Sequence, residues 1–281
     1  MRIVDAHHHV WDLSVRDQDW ITDDELAPLR RDFALADLER EVAAAGVAAT
    51  VLVQTVTVAE ETPELLALAA ENHFVSGVVG WTDLTAPDVA DELALLRELP
   101  GGEKLVAIRH QVQSEPDPLW LLRRDVLRGL DAVAAAGLAY DLVVLPRQLP
   151  AAANAAFLVP HLTFVLDHLG KPPVATGELQ PWAQDLHALA ALPNTVAKVS
   201  GLVTEARWDS WSPDDLRPYT GTALEAFGAD RLMFGSDWPV CLLAATYGEV
   251  VDAAEELTAD LSGPERAAFF GGTAERVYRL G

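Results

Sequence analysis

The segment VDAHHHVWD, residues 4–12, places His7, His8 and His9 in succession. On an extended strand successive side chains face opposite sides, so His7 and His9 share a face and His8 takes the other. Paired imidazoles on one face can ligate a metal, donate to a developing oxyanion or relay a proton. His8 reads as a packed structural histidine. Other polar groups end apolar runs: Gln54, Trp81 with Asp83, Arg109 with His110, Asp141, His168, Lys198 with Ser200, and Asp237 with Trp238. Any one of them could be a satisfied core group or a cap; Asp167–His168 suits a plain turn and Asp237 a helix N-cap. Seven or eight strand ends doing so together point to an assembled site.

The elements that must position these residues are short apolar or β-branched runs at 2–9, 49–55, 74–83, 104–111, 139–144, 163–168, 195–201 and 231–237. Helical stretches alternate with them: 34–46 and 125–137, each closed by a glycine, then 246–257 and 262–280. Alternation of this kind makes a parallel sheet, and eight strands suit a closed (β/α)8 TIM barrel built as a single domain over 1–281. An open dinucleotide-binding sheet would carry a glycine-rich loop after its first strand, where this chain has histidines. In a barrel the C-terminal strand ends form the active-site rim.

Half of the 281 residues are hydrophobic and the formal charge is −23. Such acidity argues against nucleic-acid or anionic-membrane partners. The single cysteine, Cys241, allows no internal disulfide. The N-terminal residues carry no signal-peptide pattern, and no run is long enough to span a bilayer. The expectation is a cytoplasmic enzyme with a small-molecule substrate; the sequence leaves its oligomeric state open.

The motifs VDAHHHVWD, IRHQVQ with PLWLLR, VLDHLGKP, AKVSGL and LMFGSDWPV resemble, in order and over nearly the whole chain, the amidohydrolase superfamily. They are most similar to its branch of sugar lactonases and 2-pyrone-4,6-dicarboxylate lactonase. The resemblance implies a distorted (β/α)8 barrel that hydrolyses a carboxylic ester or amide, often a lactone. It implies a core of His7, His9, His168 and Asp237, with Asp237 activating water. These four would also be the ligands of a divalent metal such as zinc or manganese, while some members of the branch need none. Two-metal members use a bridging lysine from the middle strands, and AIRHQ and YDLVV offer none there.

Lactone opening needs an activated water, a polarised carbonyl and a proton for the departing alkoxide. Asp237 can accept the water's proton and later deliver it. Candidates for oxyanion stabilisation are His168, His7 or His9, His110, Lys198 and Arg109. Arg109 and His110 are adjacent, so only one enters the site; the resemblance favours His110. Lys198 lies mid-strand among apolar residues, where a charge needs a task or a partner such as Asp141 or Glu205. Lys171, in a Gly-Pro turn, reads as solvent-exposed. Asp5, sharing the parity of His7, is placed to orient an imidazole from one layer below. Trp11, Trp81 and Trp238 follow strand ends and could wall a sugar ring, with Asp141 also offered to substrate. The scarcity of convergent arginines favours a neutral sugar lactone over a dicarboxylate. The alternatives on the same scaffold are a metal-dependent amide hydrolase or a decarboxylase.

Overall fold

The computed structural model describes residues 1–281 as eight parallel strands hydrogen-bonded in sequence order. They are β1 (Ile3–His8), β2 (Val47–Val53), β3 (Val75–Gly80), β4 (Leu105–His110), β5 (Ala139–Leu142), β6 (Phe164–Leu166), β7 (Thr195–Val199) and β8 (Leu232–Phe234). The strands are buried on both faces, as parallel strands covered by helices must be. Helices pack outside with periodic apolar stripes; Arg124–Ala135 buries Val126, Gly129, Leu130 and Val133 and stops before Gly137, whose φ is +71°. Tyr247–Leu257 starts at a capping box, in which Thr246 Oγ1 accepts from Glu249 N at 3.2 Å and the Glu249 carboxylate accepts from Thr246 N at 2.8 Å. No helix is long and apolar enough to cross a membrane.

The barrel closes between β8 and β1 beyond the last residue of β8. There Asp237 N donates to His7 O at 2.8 Å and His9 N to Trp238 O at 2.7 Å. The Asp5 carboxylate ties this seam, accepting from Ser236 N at 2.8 Å, Ser236 Oγ at 2.6 Å and Tyr247 Oη at 3.1 Å. The simple alternation that put Asp5 below His7 fails here for a definite reason. Between Asp5, opposite Thr50, and His8, opposite Leu52, β1 carries one residue more than β2. That bulge lets Ala6 and His7 face inward in succession and leaves Asp5 and His8 outside. Asp5 bonds no imidazole side chain; it holds the first and last strands together.

Two apolar layers result. Val4, Ala6, Val51, Val165, Val196 and Met233 fill the barrel interior, with Ala274 and Tyr278 of the final helix, Thr273–Tyr278, inserted below. A larger layer packs between strands and helices and includes Trp11, Phe33, Leu130, Trp182 and Trp238.

Candidate active site

Above the apolar interior, inward residues turn polar. Lys198 of β7 lies at 2.6 Å from Asp141 Oδ2 and 3.0 Å from Asp167 Oδ1, with no exposure of any of the three side chains. Its ammonium is also 3.1 Å from His7 Nδ1. Tyr278 Oη donates to Asp141 from below at 2.8 Å. Arg109 of β4 donates through Nη1 to Asp167 Oδ2 at 2.9 Å and through Nη2 to Gln54 O. Two cations therefore meet two carboxylates in a buried layer, an arrangement that burial alone would forbid without mutual pairing. Burial raises the Asp141 carboxyl to about 6 even against the attraction of Lys198. Burial acts on Asp167 in the same sense, but Lys198, His7 and Arg109 hold it well below the usual carboxylate range.

One layer higher lie the imidazoles. His7 Nε2 is 3.2 Å from His9 Nε2 and 3.7 Å from Asp237 Oδ1. Asp237 Oδ1 is also 3.5 Å from His9 Nε2 and 3.9 Å from His168 Nε2. The His7 and His168 rings meet edge to face at 4.5 Å. His9 is oriented by a contact of Nδ1 with Val53 O at 2.8 Å, and His168 by Nδ1 with Ser200 Oγ at 2.9 Å. Desolvation keeps His7 well below its ordinary value and lowers His168 to about 4 against the pull of Asp237. Burial alone would raise Asp237, yet charge attraction to His168 and to its neighbours His9 and His7 holds it below the carboxylate range.

Backbone strain gathers at this layer. His168 (φ 54°) and Asp237 (φ 58°) both occupy left-handed conformations, which non-glycine residues adopt reluctantly. Gly201 (φ +63°) closes over them. A Cβ there would stand 2.6 Å from His168 Nδ1 and 2.9 Å from Asp237 Oδ2, so only glycine fits.

Each residue singled out in the sequence now has a place. His7, His9, His168, Asp237 and Arg109 converge, with Lys198 and Asp141 beneath them. His110 does not join them. Its ring stacks on Trp120 with centroids 4.2 Å apart, accepts from Trp81 Nε1 at 3.0 Å and contacts Glu115 at 2.7 Å. Residues 109 and 110 face opposite sides of β4, and it is the arginine that enters the barrel. Trp11 and Trp238 are packed in the outer apolar layer, each edge-on to Phe33, and neither lines the cleft. Trp81 buttresses His110. Asp141 is fully buried beneath the imidazole layer, behind Lys198.

The cleft above the imidazoles is lined instead by Trp20, Thr55, Gln111, Gln113 and Lys171. Sequence reasoning missed these, and Asp167 with them. Asp167 shares the parity of Val165 and was discoverable. Lys171 was not, because its direction depends on a left-handed turn that no local residue pattern announces.

The donor set fits one divalent cation. His7, His168 and Asp237 offer ligand atoms all within 4.8 Å of one another, with His9 adjacent. Asp237 Oδ1 stands 3.7 Å from His7 Nε2 and 3.9 Å from His168 Nε2, slightly wider than the roughly 3.3–3.6 Å between ligands of a tetrahedral ion with bonds of about 2.0–2.2 Å, so small side-chain movements would close the set on it. Asp167 Oδ1, 3.3 Å from His7 Nδ1, stands where a carboxylate would fix the imidazole for ligation.

An eight-stranded parallel barrel with imidazoles and an aspartate converging at the strand C-termini belongs to the class of barrel enzymes whose chemistry sits on that rim. A family model described as amidohydrolase matches residues 4–280, and the chain belongs to the amidohydrolase family. An L-fucono-1,5-lactonase of Burkholderia ambifaria is 40% identical over 283 residues, covering 99% of this chain and 95% of the relative. One from Burkholderia multivorans is 41% identical over 290 residues, covering 99% and 96%. Crystal structures of an amidohydrolase from Burkholderia multivorans superpose over 100% of both chains with TM-scores of 0.93; one, at 39% identity, holds HEPES and the other, at 40%, holds zinc.

Proposed function

We propose that this protein hydrolyses a neutral sugar lactone of the aldono-1,5-lactone class, with L-fucono-1,5-lactone as the first substrate to test. The carrying observation is the convergence of His7, His9 and His168 on one carboxylate oxygen of Asp237 at the base of the cleft. The names of the relatives supply the substrate class. Gln111, Gln113, Thr55 and Trp20 give the cleft amides, a hydroxyl and an aromatic edge, which suit a polyhydroxylated ring better than a dicarboxylate.

In this reading Asp237, kept ionised, accepts a proton from the water that attacks the lactone carbonyl. His168, its Nδ1 on Ser200 Oγ, presents Nε2–H toward the oxygen that gains charge in the tetrahedral intermediate, whereas His9 donates Nδ1–H to Val53 O and turns an Nε2 lone pair to the site. Arg109 and Lys198 hold His7 in place from beneath, with Asp167 joining the two cations. A divalent metal held by His7, His168 and Asp237 would act as a Lewis acid on the carbonyl oxygen.

The test is proton release from L-fucono-1,5-lactone and other aldonolactones by the wild type and Asp237→Asn. Asparagine tolerates the left-handed backbone of this position, so the fold survives the exchange. The expected loss in kcat is about two orders of magnitude or more. Unchanged turnover in the variant would sink the role of Asp237, and a wild type that opens no lactone would sink the substrate class.

A further inference from the structure

The chain has three lysines, Lys104, Lys171 and Lys198. Lys104 donates to three backbone carbonyls, those of Ala69, Asn72 and Val75, and Lys198 is enclosed by Asp141, Asp167 and His7. Lys171 differs from both. It lines the cleft beside His168 and Asp237, and its ammonium has one ionic contact, Glu205 Oε1 at 3.6 Å. The other cation on the cleft, Arg109, has both terminal nitrogens engaged with Asp167 and Gln54. Arg109 Nε has no partner but is enclosed, so Lys171 is the cation whose N–H donors reach the open cleft and are left for a bound molecule.

The backbone gives a second, independent reason. His168, Leu169, Gly170 and Lys171 are successive left-handed residues, with φ of 54°, 51°, 71° and 54°. Left-handed residues other than glycine crowd their Cβ against the following carbonyl oxygen and are rarely continued in succession. The turn is closed by Lys171 N donating to His168 O at 2.9 Å. Residues three apart on such a turn lie on one side, and both side chains line the cleft.

Resting on the lactonase reading, we propose that Lys171 is a catalytic residue: its ammonium hydrogen-bonds the ring oxygen of the lactone and protonates it on departure. Water adds to the carbonyl carbon as Asp237 takes its proton. When the tetrahedral intermediate collapses, the bond from carbon to ring oxygen breaks and its electron pair stays on that oxygen. The proton comes from Lys171, giving the free hydroxyl and a carboxylic acid. The acid loses its proton to water, and the proton held by Asp237 returns through solvent to the lysine amine. Glu205 is a positioning residue that keeps the ammonium over the cleft.

The experiment compares L-fucono-1,5-lactone with the corresponding 1,5-thiolactone in wild type, Lys171→Met and Glu205→Gln. A thiolate leaves without being protonated, whereas an alkoxide does not. Lys171→Met is expected to lose about 100-fold or more in kcat on the oxygen lactone and less than about tenfold on the thiolactone. Retained thiolactone turnover also reports that the variant is folded. Glu205→Gln should show the same selectivity with a smaller loss. Equal losses on the two substrates, or no loss on either, would overturn the role of Lys171 while leaving the lactonase reading intact. A wild type inactive on the oxygen lactone would overturn that reading and this role with it.

Discussion

Lys198 and Asp141 form an ion pair of 2.6 Å in which neither side chain is exposed, directly beneath the imidazole layer. The pair ties β5 to β7, the two strands that flank β6, and supports the floor on which His7 rests. Removing the lysine would strand Asp141 and weaken the support of Asp167. Lys198→Met should destabilise the protein by roughly 3–5 kcal/mol, the usual cost of breaking a buried pair from one side. Urea unfolding measures this. Adding Asp141→Leu should recover part of the loss, because no uncompensated charge then remains at that position.

Gly201 offers a cleaner separation of activity from folding. A methyl group there meets His168 Nδ1 and Asp237 Oδ2 rather than an empty space, on a backbone with φ of +63°. Gly201→Ala should lower kcat more than tenfold while the barrel persists. Wild-type turnover from this variant would mean that the contact relaxes without disturbing His168 or Asp237.

Stability should fall with pH below the ordinary imidazole value. Burial keeps His8 neutral to about 3, His168 to about 4, and His7 also well below 6.5. Below pH 6.5 the unfolded imidazoles therefore bind protons that the folded ones refuse, and the unfolded state gains. His110, also lowered by burial, adds to the loss. Asp141, raised to about 6 by burial, works in the opposite sense between its folded value and 3.8. So do Asp5, Glu61 and Glu205, which burial raises above carboxylate values that already lie below pH 5. The depressed carboxylates Asp167 and Asp237 extend the loss to still lower pH. The urea midpoint should be distinctly lower at pH 5 than at pH 7; a flat profile would contradict the neutrality of the buried histidines.

Zinc should bind with a stoichiometry of no more than one ion per chain, through His7, His168 and Asp237. His168→Asn keeps a residue suited to the left-handed backbone and removes one ligand. Calorimetric titration should show tight binding in the wild type and its loss in this variant. Equal binding by both would place the ion elsewhere.

The sequence by itself determined a good deal of this molecule. Eight apolar runs and the helical stretches between them specify the barrel, because burial on both faces demands continuous hydrophobicity in a parallel strand. The same runs end in the polar groups that form the rim, so His7, His9, His168 and Asp237 were legible from position and from family likeness. Tertiary structure alone decided which neighbours face inward. The bulge in β1 reversed the parity of Asp5 relative to His7, and four successive left-handed residues turned Lys171 toward the cleft. It also chose Arg109 over His110 and buried Trp11 and Trp238 in the outer layer. Alternation along a strand is local arithmetic. A bulge, a strained turn and an ion-pair network are settled by partners 30 to 200 residues away, and no local pattern encodes them.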